Sequence, residues 1–142
     1  MKPDSVEISL RGEVSPSEDP EKVLQAARNV LGDCSYEVEL RANSVRLRSA
    51  GLACLQKIHD QLRDRHVRNA ARRQLLKSIE EGKLRVLFNR QAAYIGVIAT
   101  VSAGEESPLG PLVLEIVSDE PQELLDWLAP FQSEGPQSQV RP

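Results

Sequence analysis

The chain has 142 residues, of which 40% are hydrophobic and 4% are aromatic, and its net charge at pH 7 is −3. This length and composition predict one ordinary domain that needs no disulfide framework for stability. The few aromatic rings argue against a protein that reads unpaired bases by stacking. No apolar run approaches the roughly 20 residues that span a bilayer, so we expect no membrane contact and a cytoplasmic location.

Positive charge is concentrated in the middle of the chain. Residues 41–90 hold thirteen of the eighteen Lys and Arg and only four acids, which gives +9, whereas the remainder has five bases and seventeen acids, which gives −12. A segregated basic region is the common footprint of phosphate binding. Two parts of one fold that neutralise each other would show the same asymmetry, so charge alone leaves both interpretations open.

The chain contains two cysteines, Cys34 and Cys54. They are too few for a disulfide framework, and neither lies in a Cys-x-x-Cys motif or beside a histidine cluster. We therefore expect free thiols in a reducing compartment, with a single bridge between them as the alternative.

The first strand and the first helix have clear signals. Apolar and polar residues alternate over 6–11, which is the period of a half-buried strand. Asp19 followed by Pro20 is a helix start, because aspartate caps free N–H groups and proline suits the first helical position. An apolar stripe ending at Gly32 then predicts a helix over about 20–31.

A β-hairpin is predicted around a two-residue turn at Ala42-Asn43. In that register the apolar residues of the two strands face each other, and the charged residues pair Glu39 with Arg46 and Glu37 with Arg48. Because sheet structure explains both arginines, we set them aside as ligand-binding residues.

A long helix-forming stretch follows from about Leu52 to Gly82. It is too long for one helix in a domain of this size, and the charged segment 63–66 predicts a break. On the second helix, Arg68 and Arg72 fall inside the sector of its apolar residues, at about 100° per residue.

These two arginines allow two interpretations, because a buried bare charge costs several kcal/mol. In the first, the aliphatic parts of the Arg68 and Arg72 side chains pack on the core, and their guanidinium groups pair with acids elsewhere in the chain. In the second, they converge on phosphate groups together with Arg65.

Three strands are predicted after the helices. They are 84–88, a long strand over 92–101 whose apolar character suggests a central place in the sheet, and 112–117. A turn at Asn89-Arg90 separates the first two.

The C-terminal part contains one more helix and a tail. A short helix is predicted from Pro121, where the Asp-Pro type of start recurs. Residues 132–142 have almost no apolar content, which predicts a disordered tail after a single domain spanning 1–131.

No catalytic or cofactor motif is present in the sequence, whether a Gly-rich phosphate loop, Gly-x-Ser-x-Gly or His-Glu-x-x-His. His59 and His66 would stand about 10 Å apart on one continuous helix, too far for a shared metal. The acidic pairs Glu105-Glu106 and Asp119-Glu120 are explained by solvation and the helix dipole. We therefore expect no enzyme, no cofactor and no metal site.

Five segments carry a more specific pattern: Ser15–Val23, Ala70–Arg72, Phe88–Ala93, Glu106–Pro111 and Pro121–Pro130. Glu-Ser-Pro-Leu-Gly-Pro and Asp-Trp-Leu-Ala-Pro are the most distinctive blocks. In this order the segments resemble a small archaeal family of uncharacterised proteins, numbered two-zero-one and described as predicted RNA-binding.

The resemblance implies a fold similar to that of ribosomal protein L-five, which is an analogy of fold and not of function. We expect an α+β fold with a mostly antiparallel twisted sheet and helices packed on one face. The family usually has Asn-Lys-Gln-Ala-Ala where this chain has Asn89-Arg90-Gln91-Ala92-Ala93. For this polar tip, a hydrogen-bonding turn and a contact to phosphate or base both stay open.

We predict non-enzymatic binding of structured RNA, with ribosomal RNA as one candidate, through the phosphate backbone and A-form shape. The basic helix and the following strand would supply the contacts: Arg65, Arg68, Arg72, Arg73, Lys77, Lys83, Arg85, Arg90 and Gln91. The alternative is a protein-interaction or self-associating module, such as a homodimer, in which acidic and basic surfaces meet between subunits.

Overall fold

The structure is a computed structural model that describes residues 6–62, 65–79, 83–101 and 110–130. The strands are β1 (Val6–Glu13), β2 (Glu37–Arg41), β3 (Ser44–Ala50), β4 (Leu84–Phe88) and β5 (Leu112–Ser118). The helices are α1 (Pro20–Leu31), α2 (Ala53–Gln61), α3 (Arg65–Ser78), α4 (Arg90–Tyr94) and α5 (Pro121–Leu128).

The strands form one antiparallel sheet in the order β2-β3-β1-β5-β4. The β2–β3 hairpin turns at Ala42-Asn43 and pairs Leu40 with Val45 and Glu37 with Arg48, so the predicted register is confirmed. β1 lies in the middle of the sheet between β3 and β5, and β4 pairs with β5 at the far edge. The predicted α+β fold is therefore confirmed.

One face of the sheet is covered by helices, as predicted, and none of the described helices packs on the other. Along β1, Ile8 and Leu10 are buried, whereas Glu7 is exposed and Arg11 is partly exposed. The same alternation recurs along β3, β4 and β5, and the buried side chains join those of the helices in one core cluster. We call the uncovered side the open face. Its side chains are mostly polar or charged.

Helix α1 has the predicted start and end. The side chain of Asp19 accepts a hydrogen bond from the Glu21 N–H at 3.0 Å, and Pro20 occupies the first turn. Gly32 has φ 74°, and its N–H donates to the carbonyl of Arg28 at 2.8 Å, which closes the helix. Only glycine adopts that left-handed conformation without strain.

The break between the two central helices falls between Gln61 and Arg65, as the charged segment predicts. The expected free thiols are wrong and the alternative of a single bridge is correct, because Cys34 and Cys54 form a disulfide, with 5.3 Å between their Cα atoms. The β2–β3 hairpin brings the start of α2 back beside the end of α1, so the two cysteines, 20 positions apart in sequence, are in contact. Sequence spacing alone does not reveal such a return.

The predicted long strand over 92–101 is wrong. The side chain of Asn89 accepts a hydrogen bond from the Ala92 N–H at 2.8 Å, which starts α4 where a simple turn was expected. Ile95 and Val97 beyond this helix are 75% and 50% exposed, so their apolar character does not mark a central strand. Within 92–101, Thr100 forms an isolated bridge to Phe88 of β4, and the neighbouring Ala99 and Val101 make backbone hydrogen bonds to the end of that strand.

Helix α3 covers the outer edge of β4. The side-chain oxygen of Gln74 accepts a hydrogen bond from the Leu87 N–H at 2.7 Å, and its amide donates to the Val101 carbonyl at 2.9 Å. The Ser78 hydroxyl accepts from the Arg85 N–H at 2.8 Å. Side chains of α3 thus satisfy edge donors that would otherwise pair with another chain.

Helix α5 closes the core at the other end of α3. The ring of Trp127 stacks on that of His59 in α2, with centroids 4.6 Å apart and an interplanar angle of 8°.

The predicted tail at 132–142 and the acidic pair Glu105-Glu106 lie outside the described residues. Among the helices described, none has the length and hydrophobicity of a bilayer-spanning segment. The single domain over 1–131 stays a prediction.

Candidate nucleic-acid interface

Helix α3 presents two cations to solvent that have no ion-pair partner among the described residues. Ala71 and Leu75 are buried against the core, so the opposite side of the helix carries Arg73 and Lys77, which are exposed. Residues four apart on a helix have Cβ atoms about 6 Å from each other. Neither side chain makes an ion pair within the described residues. We call these two residues the α3 cation row.

Arg72 is bound inside the protein. Its Nη1 donates to Asp126 Oδ1 and to the Ala129 carbonyl, both at 3.0 Å, and its side chain is 16% exposed. This guanidinium joins α3 to the end of α5. For Arg72 the first of the two interpretations is therefore correct, because its side chain is largely buried and its guanidinium pairs with an acid of the same chain.

Arg68 differs from Arg72, although it lies in the same partly buried sector of α3. Its Nε is buried without a hydrogen-bond partner, and no ion pair forms with it in the parts of the chain that are described. Arg68 is thus a half-buried cation whose charge the described carboxylates do not neutralise. The side chain of Arg65 lies outside the described residues.

Strand β4 places Arg85 on the open face. Its Nε and Nη2 donate to Glu115 Oε2 at 3.0 and 2.7 Å, and Arg11 Nη1 donates to Glu115 Oε1 at 2.8 Å. Burial would raise the pKa of the Glu115 carboxyl, but the two guanidinium groups outweigh it and hold that pKa below its ordinary value. Lys83, just before β4, is exposed.

Arg90 is almost completely buried, with 4% of its side chain exposed. Its Nη1 donates to both carboxylate oxygens of Glu18 at 2.9 and 2.8 Å and to the Glu13 carbonyl at 2.6 Å. A Cβ on Gly12 would stand 2.8 Å from Leu112 Cδ2 and 3.4 Å from Arg90 Nη2, so glycine leaves room mainly for the apolar side chain packed beside the guanidinium. Arg90 is therefore a structural link between α4 and the segment that precedes α1.

Glu18 is the acid that balances this buried charge. Burial would raise the pKa of the Glu18 carboxyl, yet the bond from the Ser15 N–H and the charge of Arg90 lower it below the ordinary value. Of the polar tip, Asn89 caps α4, Arg90 is buried and Gln91 is exposed at the end of β4 opposite Lys83. The tip is thus largely the hydrogen-bonding turn of the first interpretation.

Of the nine predicted contact residues, those whose side chains the structure describes do not form one surface. Arg73 and Lys77 are exposed on α3, Lys83 is exposed on the open face near Glu7 and Glu115, and Gln91 is exposed elsewhere. Arg72, Arg85 and Arg90 are bonded to Asp126, Glu115 and Glu18. Arg68 is partly exposed and has no ion-pair partner among the described residues, so its charge is partly available for a ligand.

The open face carries a second group of arginines that the sequence did not point to. Arg11, Arg41 and Arg46 line a depression of about 250 Å³ together with Ser44 and Glu39. We call this group the arginine notch. Arg46 was set aside because Glu39 faces it in the hairpin, and that register is confirmed. The pairing of β3 with β1, which adds Arg11, is a long-range contact without a sequence signal.

A family model described as RNA binding matches residues 7–117 of this chain. The UPF0201 protein of Sulfurisphaera tokodaii is 39% identical to it over 90% of both chains, and that of Metallosphaera sedula is 37% identical over 90% of both. The chain belongs to the UPF0201 family. The crystal structure of the UPF0201 protein from Methanococcus jannaschii has the same fold, with a TM-score of 0.73, 23% identity and coverage of 91% of this chain and 96% of that one.

Membership of UPF0201 confirms the resemblance that the five sequence segments carry, and the relatives are archaeal. The description of the matching family model indicates an RNA-binding role. The comparison with ribosomal protein L-five stays a prediction. Within the ranges that the structure describes, no group of His, Cys, Asp and Glu is arranged to hold a metal ion.

Proposed function

We propose that this UPF0201 protein binds the phosphate backbone of structured RNA, without catalysing a reaction, through α3 and the start of β4. The observation that carries the proposal is the α3 cation row, Arg73 and Lys77, exposed and without an ion pair in the described residues. The RNA-binding description of the family supports the same ligand. Point charges on a rigid helix suit phosphate contacts, which position a nucleic acid without reading its bases.

Lys83 and Arg85 would continue this cationic surface around the edge of the sheet, because both lie on the open face at the start of β4. The hydrogen bond from the Arg85 N–H to Ser78 joins the last turn of α3 to the start of β4, so Lys77 and Lys83 lie at the same end of the helix. The side chain of Arg85 is 40% exposed, and its Nη1 takes no part in the hydrogen bonds to Glu115. The phosphate groups of an A-form duplex could therefore be contacted along the helix and around its C-terminal end.

Arg68 would add to the surface from the partly buried side of α3. Its Nε is buried without a partner, so a phosphate oxygen could accept from this donor only after the side chain changes its conformation. Arg72 and Arg90 do not belong to the proposed contacts, because their guanidinium groups are committed to Asp126 and Glu18. Gln91 is omitted because it lies at the other end of β4.

The test is the salt dependence of binding to a labelled RNA duplex. Each phosphate contact contributes roughly 0.7 to 0.9 to the slope of log affinity against log salt, so R73Q/K77Q should reduce the slope by roughly 1.4 to 1.8. At about 0.1 M salt we expect roughly tenfold weaker binding. The matched control is K22Q/R28Q, which removes the same charge from the exposed side of α1.

An unchanged slope in R73Q/K77Q, or an equal loss in K22Q/R28Q, would contradict the proposed surface. A single-stranded RNA of the same length tests shape recognition. We expect it to bind more weakly than the duplex, because few aromatic residues are available to stack on unpaired bases.

A second candidate function is self-association through β2, and one observation favours it. Val38 and Leu40 of this edge strand are 38% and 56% exposed, and their backbone N–H and C=O groups point away from β3. An antiparallel second copy centred on Glu39 would place Val38 opposite Leu40 of that copy and Glu37 opposite its Arg41. The apolar pairs and the Glu37–Arg41 pairs would then match across the edges, whereas Glu39 would face Glu39 of the other copy, a like-charge pair that opposes association.

Sedimentation at several protein concentrations separates the two candidates. Self-association through β2 predicts dimers that L40K abolishes, without an effect on RNA affinity. If no RNA is retained at low salt while wild-type protein forms such dimers, the self-association function is favoured over RNA binding.

A further inference from the structure

The arginine notch on the open face places like charges next to each other on adjacent strands, an arrangement that is unfavourable in a β-sheet. Arg11 and Arg46 are directly opposite each other in the antiparallel pairing of β1 and β3. Like charges in that position are destabilising, because the side chains start about 5 Å apart. Arg41 lies diagonally beyond them at the end of β2, next to the β3 residue Ser44.

The carboxylates of the open face do not neutralise this group. Glu115 is shared between Arg11 and Arg85, and Glu39 is shared between Arg48 at 3.4 Å and Arg41 at 3.8 Å. Arg46, which is partly buried, makes no ion pair with any described residue.

Other acids on this face do not change that result. Glu13 and Glu37 also lie on the open face but are exposed and form no ion pair with the notch. The lining of the notch therefore carries three positive charges and one negative charge.

We propose that the arginine notch is a binding site for a phosphate group. Guanidinium groups from three strands could donate planar pairs of hydrogen bonds to phosphate oxygens, and the Ser44 hydroxyl adds a donor. A depression of about 250 Å³ accommodates a phosphate with part of the group it is attached to, whereas a whole duplex would have to lie across the face. A bound dianion would also relieve the repulsion between Arg11 and Arg46.

The phosphate could come from an RNA backbone or from a free phosphate or phosphomonoester. In the RNA form, the inference rests on the proposed function and adds contacts on the open face to those of α3. In the free form, it is independent of RNA binding. Both sources share the same recognition chemistry, so the experiment must separate them.

The probes are inorganic phosphate and a short RNA duplex, each titrated at constant ionic strength while the arginine Nε–H and backbone amide signals are followed by NMR. We expect saturable shifts at Arg11, Arg46 and Ser44 for at least one probe, and roughly tenfold weaker binding of that probe to R46Q. R28Q is the matched control, because it removes the same charge from the exposed side of α1.

Saturation by inorganic phosphate identifies a site for free phosphate, and saturation by RNA alone identifies a backbone contact. No saturable shift with either probe, or equal affinity in R46Q, would overturn the site. R46Q should unfold at the wild-type midpoint or above it, since a repulsion is removed, and R41Q at the 72% exposed Arg41 provides a second variant.

The two proposals can fail separately. R73Q/K77Q should leave inorganic phosphate binding unchanged, because α3 packs on the covered side and along the edge of the sheet. If the notch binds inorganic phosphate but no RNA binds the protein, the proposed function fails and the phosphate site stands. If R73Q/K77Q weakens RNA binding and R46Q affects neither probe, the proposed function stands and the phosphate site fails.

Discussion

A buried guanidinium can look like a ligand-binding residue in the sequence and yet belong to the fold. Arg90 lies in a segment that resembles an RNA-binding family, in a polar tip between two predicted apolar strands, so a contact of its charge to phosphate or base was one of its two interpretations. In the structure that charge meets Glu18, which lies 72 positions earlier in the chain. The distinction depends on a long-range partner, and no local pattern at residue 90 contains it.

We predict that R90A destabilises the protein by about 3–5 kcal/mol, because it leaves the Glu18 carboxylate buried without its partner. R90K should cost less, since lysine keeps the charge but loses the planar pair of donors. Urea unfolding of each variant gives the free energies. R73A is the matched control and should stay within about 0.5 kcal/mol of wild type, as an exposed residue without partners in the described chain. Equal effects of R90A and R73A would contradict the structural role.

The Glu115 carboxyl, shared by two arginines, makes stability depend on pH. Its pKa is lower in the folded protein than the ordinary value of 4.5. A lowered pKa means that the ionised carboxylate stabilises the fold above the unfolded pKa, and that this stabilisation is lost as the pH falls through the folded pKa. The free energy of unfolding should therefore decrease as the pH is lowered below about 5.

We predict that E115Q flattens this decrease, because the amide cannot gain a proton in the same range. Glu18 should still contribute to the remaining slope, since its pKa is lowered as well. The measurement is urea unfolding at a series of pH values between about 3 and 7. E7Q, which removes an exposed carboxyl from the neighbouring strand β1, is the control, and an identical pH profile for E115Q and wild type would refute the prediction.

Among the elements, those with both a periodic pattern and a local end signal were predicted most accurately. Helix α1 has a cap, a proline and a terminal glycine, and the hairpin has a two-residue turn, so both were placed with the right ends or register. Helix α4 was missed because one hydrogen bond, from the Ala92 N–H to Asn89, overrode the strand preference of the following β-branched residues.

The disulfide is the other feature that links elements without a sequence signal. We predict that reduction, or the double variant C34S/C54S, lowers the free energy of unfolding by about 3 kcal/mol, because the bridge closes a loop of 20 residues. Thiol quantification in the unfolded protein and urea unfolding with and without reductant provide the measurements. C34S/C54S should not respond to reductant, and equal stability of the oxidised and reduced wild type would rule out a stabilising bridge.

For the whole molecule, the fold class follows from the sequence, whereas the cationic surface does not. The alternation of apolar residues and the helical stripes determine which faces are buried, and these produced the antiparallel sheet with helices on one side. Whether a cation is free depends on acids that arrive from distant segments, as Asp126 does for Arg72 and Glu115 for Arg85. The arginine notch could not be predicted from the sequence for the same reason, because it forms only when β1 pairs with β3.

The α3 cation row and the arginine notch share no partner and lie on different sides of the sheet edge, so their contributions to RNA affinity should be additive if one RNA contacts both. R73Q/K77Q/R46Q should then weaken binding by the product of the two separate factors, and the free energies should add within about 0.5 kcal/mol. The salt slope should fall by roughly 2.1 to 2.7 for the three lost contacts. Titration of one RNA duplex against the four proteins of this cycle is the measurement. A triple variant no weaker than R73Q/K77Q would mean that the RNA contacts α3 alone, because the notch would then contribute nothing to its affinity.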